Sequence, residues 1–340
     1  MFKRPRLSAQ TFPVNAGIAG FLLFYAASCS GPQEAEETPQ ETTETQAPEA
    51  PAQPAAEPDS LPAVWMTREL DFPVRSIGIA GGAGSTFAVA YDGGGLQIFD
   101  FDGDRITEIS NHDVTALAQG RYVMISGTPV TVYPGIDAQG DMKAWIYGGG
   151  LSEAIQYDLQ GVDGAALAGI CAADPQNRDA SLQRIAFWTE AAPAVLEIGE
   201  LVERGGELEW VKTDEESVSQ PIEACTFIAN EAETFNAPVA GAAGLKRLGR
   251  ETLVTLTEEG MVDVSVDGGE TTRYEILDGI TVVVPNEPKA IAATGDARGG
   301  GYPGGLIVLG GDIERGDHRV VMVDPSKITL TPLTESAIGQ

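Results

Sequence analysis

Asp100-Phe-Asp-Gly-Asp104 places three carboxylates at alternate positions around a glycine. That spacing can offer hard oxygen ligands to Ca²⁺, which takes about six to eight of them. The string lacks the further ligands and the terminal glutamate of an EF-hand, so Asp100, Asp102 and Asp104 also read as a polar turn between two strands. Asp312, Glu314, Asp317 and His318 gather beside Gly310-Gly311 in the same way, with a solvated hairpin loop as the bland alternative. His112 and His318 are the only histidines, so a Ser-His-Asp triad would need one of them. No G-x-S-x-G elbow is present, and both histidines read as loop residues. Arg298-Gly-Gly-Gly-Tyr-Pro-Gly-Gly305 has neither the lysine nor the following helix of a phosphate cradle and reads as a loop leading into a strand. The cysteines stand far apart with no nearby histidine partner, which excludes zinc spacing. Cys171 and Cys225 could pair in an oxidising compartment, but spacing alone does not decide it.

One further cysteine carries different chemistry. Lys3, Arg4 and Arg6 precede an apolar run from Ala16 to Ala27, and Ala26-Ala-Ser28 leads directly to Cys29. This is the layout of a secretory signal, and the apolar run is shorter than the ~20 residues of a membrane span. A cysteine directly after the small residues resembles a bacterial lipobox, with Ala26 where leucine is usual. Residues 1–28 are then a lipoprotein signal peptide, and Cys29 is the lipidated first residue of the exported chain. The alternative is ordinary cleavage, leaving a soluble periplasmic protein. Between Ser30 and Asp59 there are eight acidic residues, no basic ones and no aromatic side chain. Such a segment cannot bury enough surface to offset its ordering entropy, so residues 29–61 read as an extended tether. The absence of aspartate just after Cys29 fits sorting to the outer membrane, as resemblance to lipoproteins implies. The protein would then face the periplasm or the cell surface.

The remaining residues, 62–340, must form whatever positions these groups. The chain has 50 acidic against 21 basic residues, a formal charge of −29. Nucleic acid and anionic lipid surfaces are poor partners for such a field, whereas cations are favoured. Forty-one glycines indicate many tight turns. From Arg75 onward short apolar strands alternate with Gly/Asp/Asn turns. Ser76–Ala80, Thr86–Tyr91, Leu96–Phe101 and Arg105–Ile109 make one set of four. Val114–Leu117, Tyr122–Ser126, Ala144–Tyr147 and Ala154–Asp158 make a second, and Ala168–Ala172, Ile185–Thr189, Ala194–Leu201 and Leu208–Val211 a third. Thr252–Thr257, Met261–Val266 and Thr271–Ile276 follow. Lys289–Thr294, Leu306–Leu309, Arg319–Val323 and Ile328–Leu330 close the chain. Repeated four-stranded units predict an all-β fold, a β-propeller of about six blades at ~45 residues each. The unit beginning at Pro221 is short, because Ala232 to Gly244 is rich in Ala, Gly and Pro and offers little strand; one blade is expected to be incomplete. A pair of β-sandwiches is the competing architecture.

Several strings resemble the β-propeller phytase family. Gly95-Leu-Gln-Ile-Phe-Asp-Phe-Asp-Gly103 is similar to that family's "GLVVYDLDG", Ala168-Gly-Ile-Cys171 to "YGLC", and Ile222-Glu-Ala-Cys225 to "PEGC". Gly301-Tyr-Pro-Gly-Gly-Leu-Ile-Val-Leu-Gly-Gly-Asp312 and Val320-Val-Met-Val-Asp-Pro325 resemble its last blade, "YPxGLxVxQDG…FKxVPW". The matches keep the family's order over most of residues 70 to 330. The resemblance implies a phytase-like propeller with Ca²⁺ in its mouth, hydrolysing inositol phosphates. It also implies that Cys171 and Cys225 are buried on inner strands of adjacent blades, which is preferred here to a disulfide.

The family's site residues carry over poorly. The segment expected to hold its paired aspartates is Ile79-Ala-Gly-Gly-Ala-Gly84, and its basic residues fall on Tyr91-Asp-Gly-Gly94. Asn111-His-Asp-Val114 is followed by Thr115 and Leu117 where the family has arginine. Glu223-Ala-Cys-Thr-Phe-Ile-Ala-Asn230 keeps only Glu223, and Asp312 survives in the last blade. Glu223, Asp312, Asp100, Asp102 and Asp104 are therefore the candidate calcium ligands, with no catalytic residue assigned. The expected function is an exported, lipid-anchored propeller with degenerate catalytic residues, acting as a binding or scaffold module. Its partners would be the membrane, through the lipid on Cys29, and a protein or small molecule at the propeller mouth. The alternative is a calcium-dependent phosphatase acting on phytate or another phosphate ester.

Overall fold

The structure is a computed structural model that describes residues 59–330, apart from 82–85, 163, 175, 238, 297–301, 303 and 314–315. Cys29, Glu314 and the signal and most of the tether lie outside the described residues.

The strands assemble as six radial blades. β1 (Asp59–Met66) comes first in the chain and is used last. Blade 1 holds β2 (Val74–Gly81), β3 (Thr86–Tyr91) and β4 (Leu96–Phe99). In blade 2, β5 (Val114–Leu117) and β6 (Gly120–Ile125) form one broken inner strand, because both pair with β7 (Thr128–Asp137); β8 (Met142–Gly148) and β9 (Ile155–Asp158) lie outside it. Blade 3 is β10 (Leu167–Ala173), β11 (Gln183–Thr189), β12 (Ala192–Arg204) and β13 (Glu207–Ser217). Blade 4 has only β14 (Ala224–Ile228) and β15 (Glu231–Phe235). Blade 5 is β16 (Val239–Arg247), β17 (Arg250–Thr257), β18 (Val262–Val266) and β19 (Thr272–Leu277). Blade 6 is β20 (Glu287–Thr294), β21 (Leu306–Asp312) and β22 (His318–Val323).

Two devices close the ring. The first half of β1 runs parallel to β19 of blade 5, and its second half runs antiparallel to β22 of blade 6. Beyond β22, buried Arg247 of blade 5 donates to the carbonyls of Pro325 and Ile328, flanking a 3-10 turn at Pro325–Lys327. Between blades the sheets bury both faces. Phe87, Tyr91 and Phe99 of blade 1 pack with Val308 and Met322 of blade 6, and Val132 and Ile146 of blade 2 with Ile185 and Phe187 of blade 3. Full burial of both faces is why β3 reads as an unbroken apolar run.

The expected propeller with one short blade is the observed fold, and the sandwich pair is not. Several details differ. Asp59–Leu61, assigned to the tether, belong to β1, and Leu61 is fully buried. β7 was hidden by Pro129 and Pro134, which break a strand pattern yet sit within this ladder. Arg105–Ile109 makes one bridge, to Phe99, instead of a full strand. Ile328–Leu330 is not a strand. The Ala/Gly stretch before Gly244 is β16, the inner strand of blade 5. Its small residues are needed because the inner strands converge: a Cβ on Gly244 would lie 2.2 Å from the Phe227 carbonyl oxygen, and one on Gly241 2.8 Å from the Ile291 side chain.

The same convergence corrects the reading of the cysteines. Cys171 on β10 and Cys225 on β14 are buried on inner strands of adjacent blades, as expected, but they are joined in a disulfide with Cα atoms 5.7 Å apart. Small residues beside the cysteines, Gly169, Ala172 and Ala224, let the two inner strands come within the reach a disulfide needs. Blade 4 adds only Ile222, Cys225 and Phe227 to the buried cluster it shares with blade 3, so the bond ties down the blade with the least sheet.

Candidate functional site

The innermost strands begin at one face of the propeller, here the upper face, and end at the lower one. Three recesses lie along their axis. The middle one is about 70 Å³ and is lined by Ile77, Ile79, Leu117, Ile170, Ile291 and the disulfide. It holds no more than a few waters, so the channel is pinched and each mouth is a separate recess.

The upper mouth is about 210 Å³ and brings Arg75, Trp188, Glu223 and Lys289 to one rim. Asp312 stands behind it. Its Oδ2 accepts from Lys289 Nζ at 2.9 Å and its Oδ1 lies 2.6 Å from His318 Nδ1. Burial alone would raise the Asp312 carboxyl, but hydrogen bonds from Lys289 and His318 outweigh it and hold the group below the usual carboxylate range. The bond to Asp312 in turn raises the Lys289 ammonium. Arg75 is engaged by Asp92 at 2.5 Å.

The five candidate calcium ligands do not come together. Glu223 and Asp312 belong to the upper face, on blades 4 and 6. Asp100, Asp102 and Asp104 lie after β4 on the outer part of blade 1. There Asp100 Oδ1 accepts the backbone N–H groups of Asp102 (3.0 Å) and Asp104 (2.9 Å), closing the turn on itself. The Asp102 carbonyl accepts from Trp65 Nε1 of β1 at 2.8 Å. Among the described residues no three His, Cys, Asp or Glu side chains converge as a metal site would require. Calcium therefore does not fit the donor set: both oxygens of Asp312 are engaged, one by Lys289 and one by His318, and Asp100 Oδ1 is taken up by its own loop.

The lower face holds the larger recess, which sequence reasoning missed. It measures about 660 Å³ and draws on five blades: Gly81 from blade 1, Gln119 and Arg121 from blade 2, Asp174 and Arg178 from blade 3, Leu245 and Lys246 from blade 5, and Thr294 and Asp296 from blade 6. Local turn chemistry keeps its rim low. Ser126-Gly127, Ala229-Asn230 and Leu248-Gly249 are two-residue turns with positive φ at both positions, joining inner to second strands at this face. Blade 3 instead crosses from β10 to β11 by a longer loop, and that loop supplies Asp174 and Arg178. Asp174 is shared by Arg121 Nε at 3.3 Å and Arg178 at 2.5 Å. Arg121 also donates to the Leu182 carbonyl. Burial lowers the Arg121 guanidinium; Asp174 works against that shift and Arg178 adds to it. It remains a cation at any ordinary pH. Lys246 pairs with Glu251 at 3.1 Å. The only sequence signal for this recess was the rarity of basic residues, which makes three cations in one cup unusual.

No protein-family model matches the chain, and no curated protein sequence matches it. Among solved structures, the chain is similar to BBS1N, crystallised in complex with ARL6DN and soaked with mercury, with TM-score 0.51, 10% identity, 81% of this chain and 100% of that one covered. It is also similar to the Aleuria aurantia lectin in complex with alpha-methyl-L-fucoside, with TM-score 0.47, 11% identity, 78% of this chain and 99% of that one covered. At 10% identity the likeness to BBS1N speaks for the fold alone.

Proposed function

We propose that this chain is an exported propeller that binds a small ligand at its lower face, held to the outer membrane by a lipid on Cys29. In this reading it is a diverged relative of the phytase propellers that has given up their chemistry. The observation that carries it is the lower recess, where Arg121 and Arg178 share Asp174 within a cup also lined by Gln119, Thr294 and Lys246. Two guanidiniums held by one carboxylate can pass one fork to an incoming carboxylate, whose bidentate geometry they match. The exposed Gln119 beside them offers an amide that suits a hydroxyl. The chain's charge of −29 repels a polyanion at long range. A single carboxylate on a neutral hydroxylated body, such as an acidic sugar, therefore fits better than an inositol polyphosphate. The dispersed calcium candidates support the same preference for binding over hydrolysis.

The test uses the exported chain from Cys29 with three probes: glucuronate, glucose and phytate. Glucuronate should raise the melting temperature by mass action, and Arg121→Ala should remove that shift. Glucose and phytate should have little effect, and calcium phytate should release no phosphate. Equal shifts in Arg121→Ala, or calcium-dependent phosphate release, would overturn the reading. For the anchor, Cys29→Ala should free the protein from membranes; persistent association would reject lipidation as the tether's attachment.

A further inference from the structure

Blade 4 ends after two strands, and its outer edge is open. Ala229-Asn230 is a two-residue turn with φ of 49° and 69°, so Ile228 and Glu231 close the hairpin as a hydrogen-bonded pair. Hydrogen-bonded pairs then alternate along an antiparallel ladder, at Thr226/Glu233 and Ala224/Phe235. The Phe235 carbonyl also accepts from Glu223 N–H at 2.8 Å, in keeping with an inward-facing Phe235. Ala232 and Thr234 are left with their N–H and C=O groups pointing away from β14. No described strand pairs with that side of β15. The edge of blade 1 differs: β4 is covered by Ile106 N–H on the Ile98 carbonyl and Ser110 N–H on the Leu96 carbonyl.

Charge says what could fill the gap. Glu231 and Glu233 are exposed on one face of β15, and the neighbouring blade ends in exposed Asp214, Glu215 and Glu216 on β13. A second copy of this chain would set these carboxylates against their like, which is destabilising across strands. The tether is excluded for the same reason, having no basic residue between Ser30 and Asp59. A strand with lysine or arginine at alternate positions would meet Glu231 and Glu233 with opposite charge while its main chain filled the vacant ladder.

We infer that β15 is a docking edge that takes an extended, basic segment of a partner protein as the third strand of blade 4. This surface is independent of the lower recess. The probe is an acetylated heptapeptide alternating lysine and valine, added to the exported chain at low salt. It should bind, and it should slow amide hydrogen exchange at Ala232 and Thr234. The same peptide with glutamate for lysine should not bind. Thr234→Pro removes an N–H that β14 does not use, so the melting temperature should hold while binding weakens about tenfold or more. Glu231→Lys with Glu233→Lys should weaken binding comparably and flatten its salt dependence. Should Thr234→Pro unfold the blade, N-methylation of alternate peptide nitrogens makes the same test from the partner's side and should abolish binding. Binding that survives N-methylation, leaves Ala232 and Thr234 unprotected, or is absent would overturn the inference. So would self-association of the chain in place of peptide binding; with neither, Glu231 and Glu233 would only guard an idle edge against aggregation.

Discussion

Breaking the Cys171–Cys225 bond should destabilise the propeller locally and substantially. The two cysteines are 54 residues apart in sequence. Closing a loop of that length removes about 14 cal/mol/K from the unfolded chain, or about 4 kcal/mol at 25 °C in the chain-entropy description. Unfolding entropy near 2.1 cal/mol/K per residue over ~270 folded residues converts this to a fall of about 7 °C in melting temperature. The loss should concentrate in blade 4, whose two strands otherwise rest on the small cluster around Ile222 and Phe227. The experiment compares wild type with Cys171→Ser/Cys225→Ser by differential scanning calorimetry, with and without reductant. Hydrogen exchange of the β14 and β15 amides is read alongside. Wild type should lose stability in reductant and the double variant should not respond. Exchange should quicken first in Ala224–Phe235 while β3 and β21 keep their protection. A melting temperature within about 2 °C of wild type, or accelerated exchange spread evenly over the blades, would refute the idea that this bond replaces the missing sheet.

Three further outcomes follow from the packing. Gly244→Ala drives a Cβ to 2.2 Å from the Phe227 carbonyl oxygen, a backbone atom that cannot step aside; it should cost about 2–3 kcal/mol by chemical denaturation. Asp312→Asn should lower stability by no more than about 1 kcal/mol, because Lys289 and Asp312 are partly exposed. The lowered Asp312 carboxyl contributes above its unfolded value of about 3.9 and loses that contribution as pH falls through the folded value. The raised Lys289 contributes below about 10.4 and loses it as pH rises through its folded value. The variant should therefore differ from wild type between these limits and converge with it outside them in a pH series of melts. A chain beginning at Thr67 loses the strand that bridges blades 5 and 6, together with buried Leu61. It should lose about 3 kcal/mol or more and melt over a broader range than a chain beginning at residue 30; an unchanged melt would mean that β1 does not close the ring.

The amino-acid pattern alone determined that this is an all-β chain of about six repeated units with a short one after Pro221. Short apolar runs between Gly/Asp turns are local signals, and they survive into β3, β10 and β22 nearly residue for residue. The signals that point the wrong way are local too. Pro129 and Pro134 hid β7, and Gly241 to Gly244 looked unstructured because glycine and alanine weaken a strand unless another backbone needs their space. Only the ring supplies that need, by crowding six inner strands toward one axis. The tertiary structure alone decided that Cys171 meets Cys225, since their distance depends on how two blades converge and not on the 54 residues between them. It likewise decided that Glu223, Asp312 and the Asp100 turn stand apart, while Arg121, Asp174, Arg178 and Lys246 converge on one cup. Residues drawn from separate blades become neighbours only through the geometry of closure, which no short-range pattern encodes.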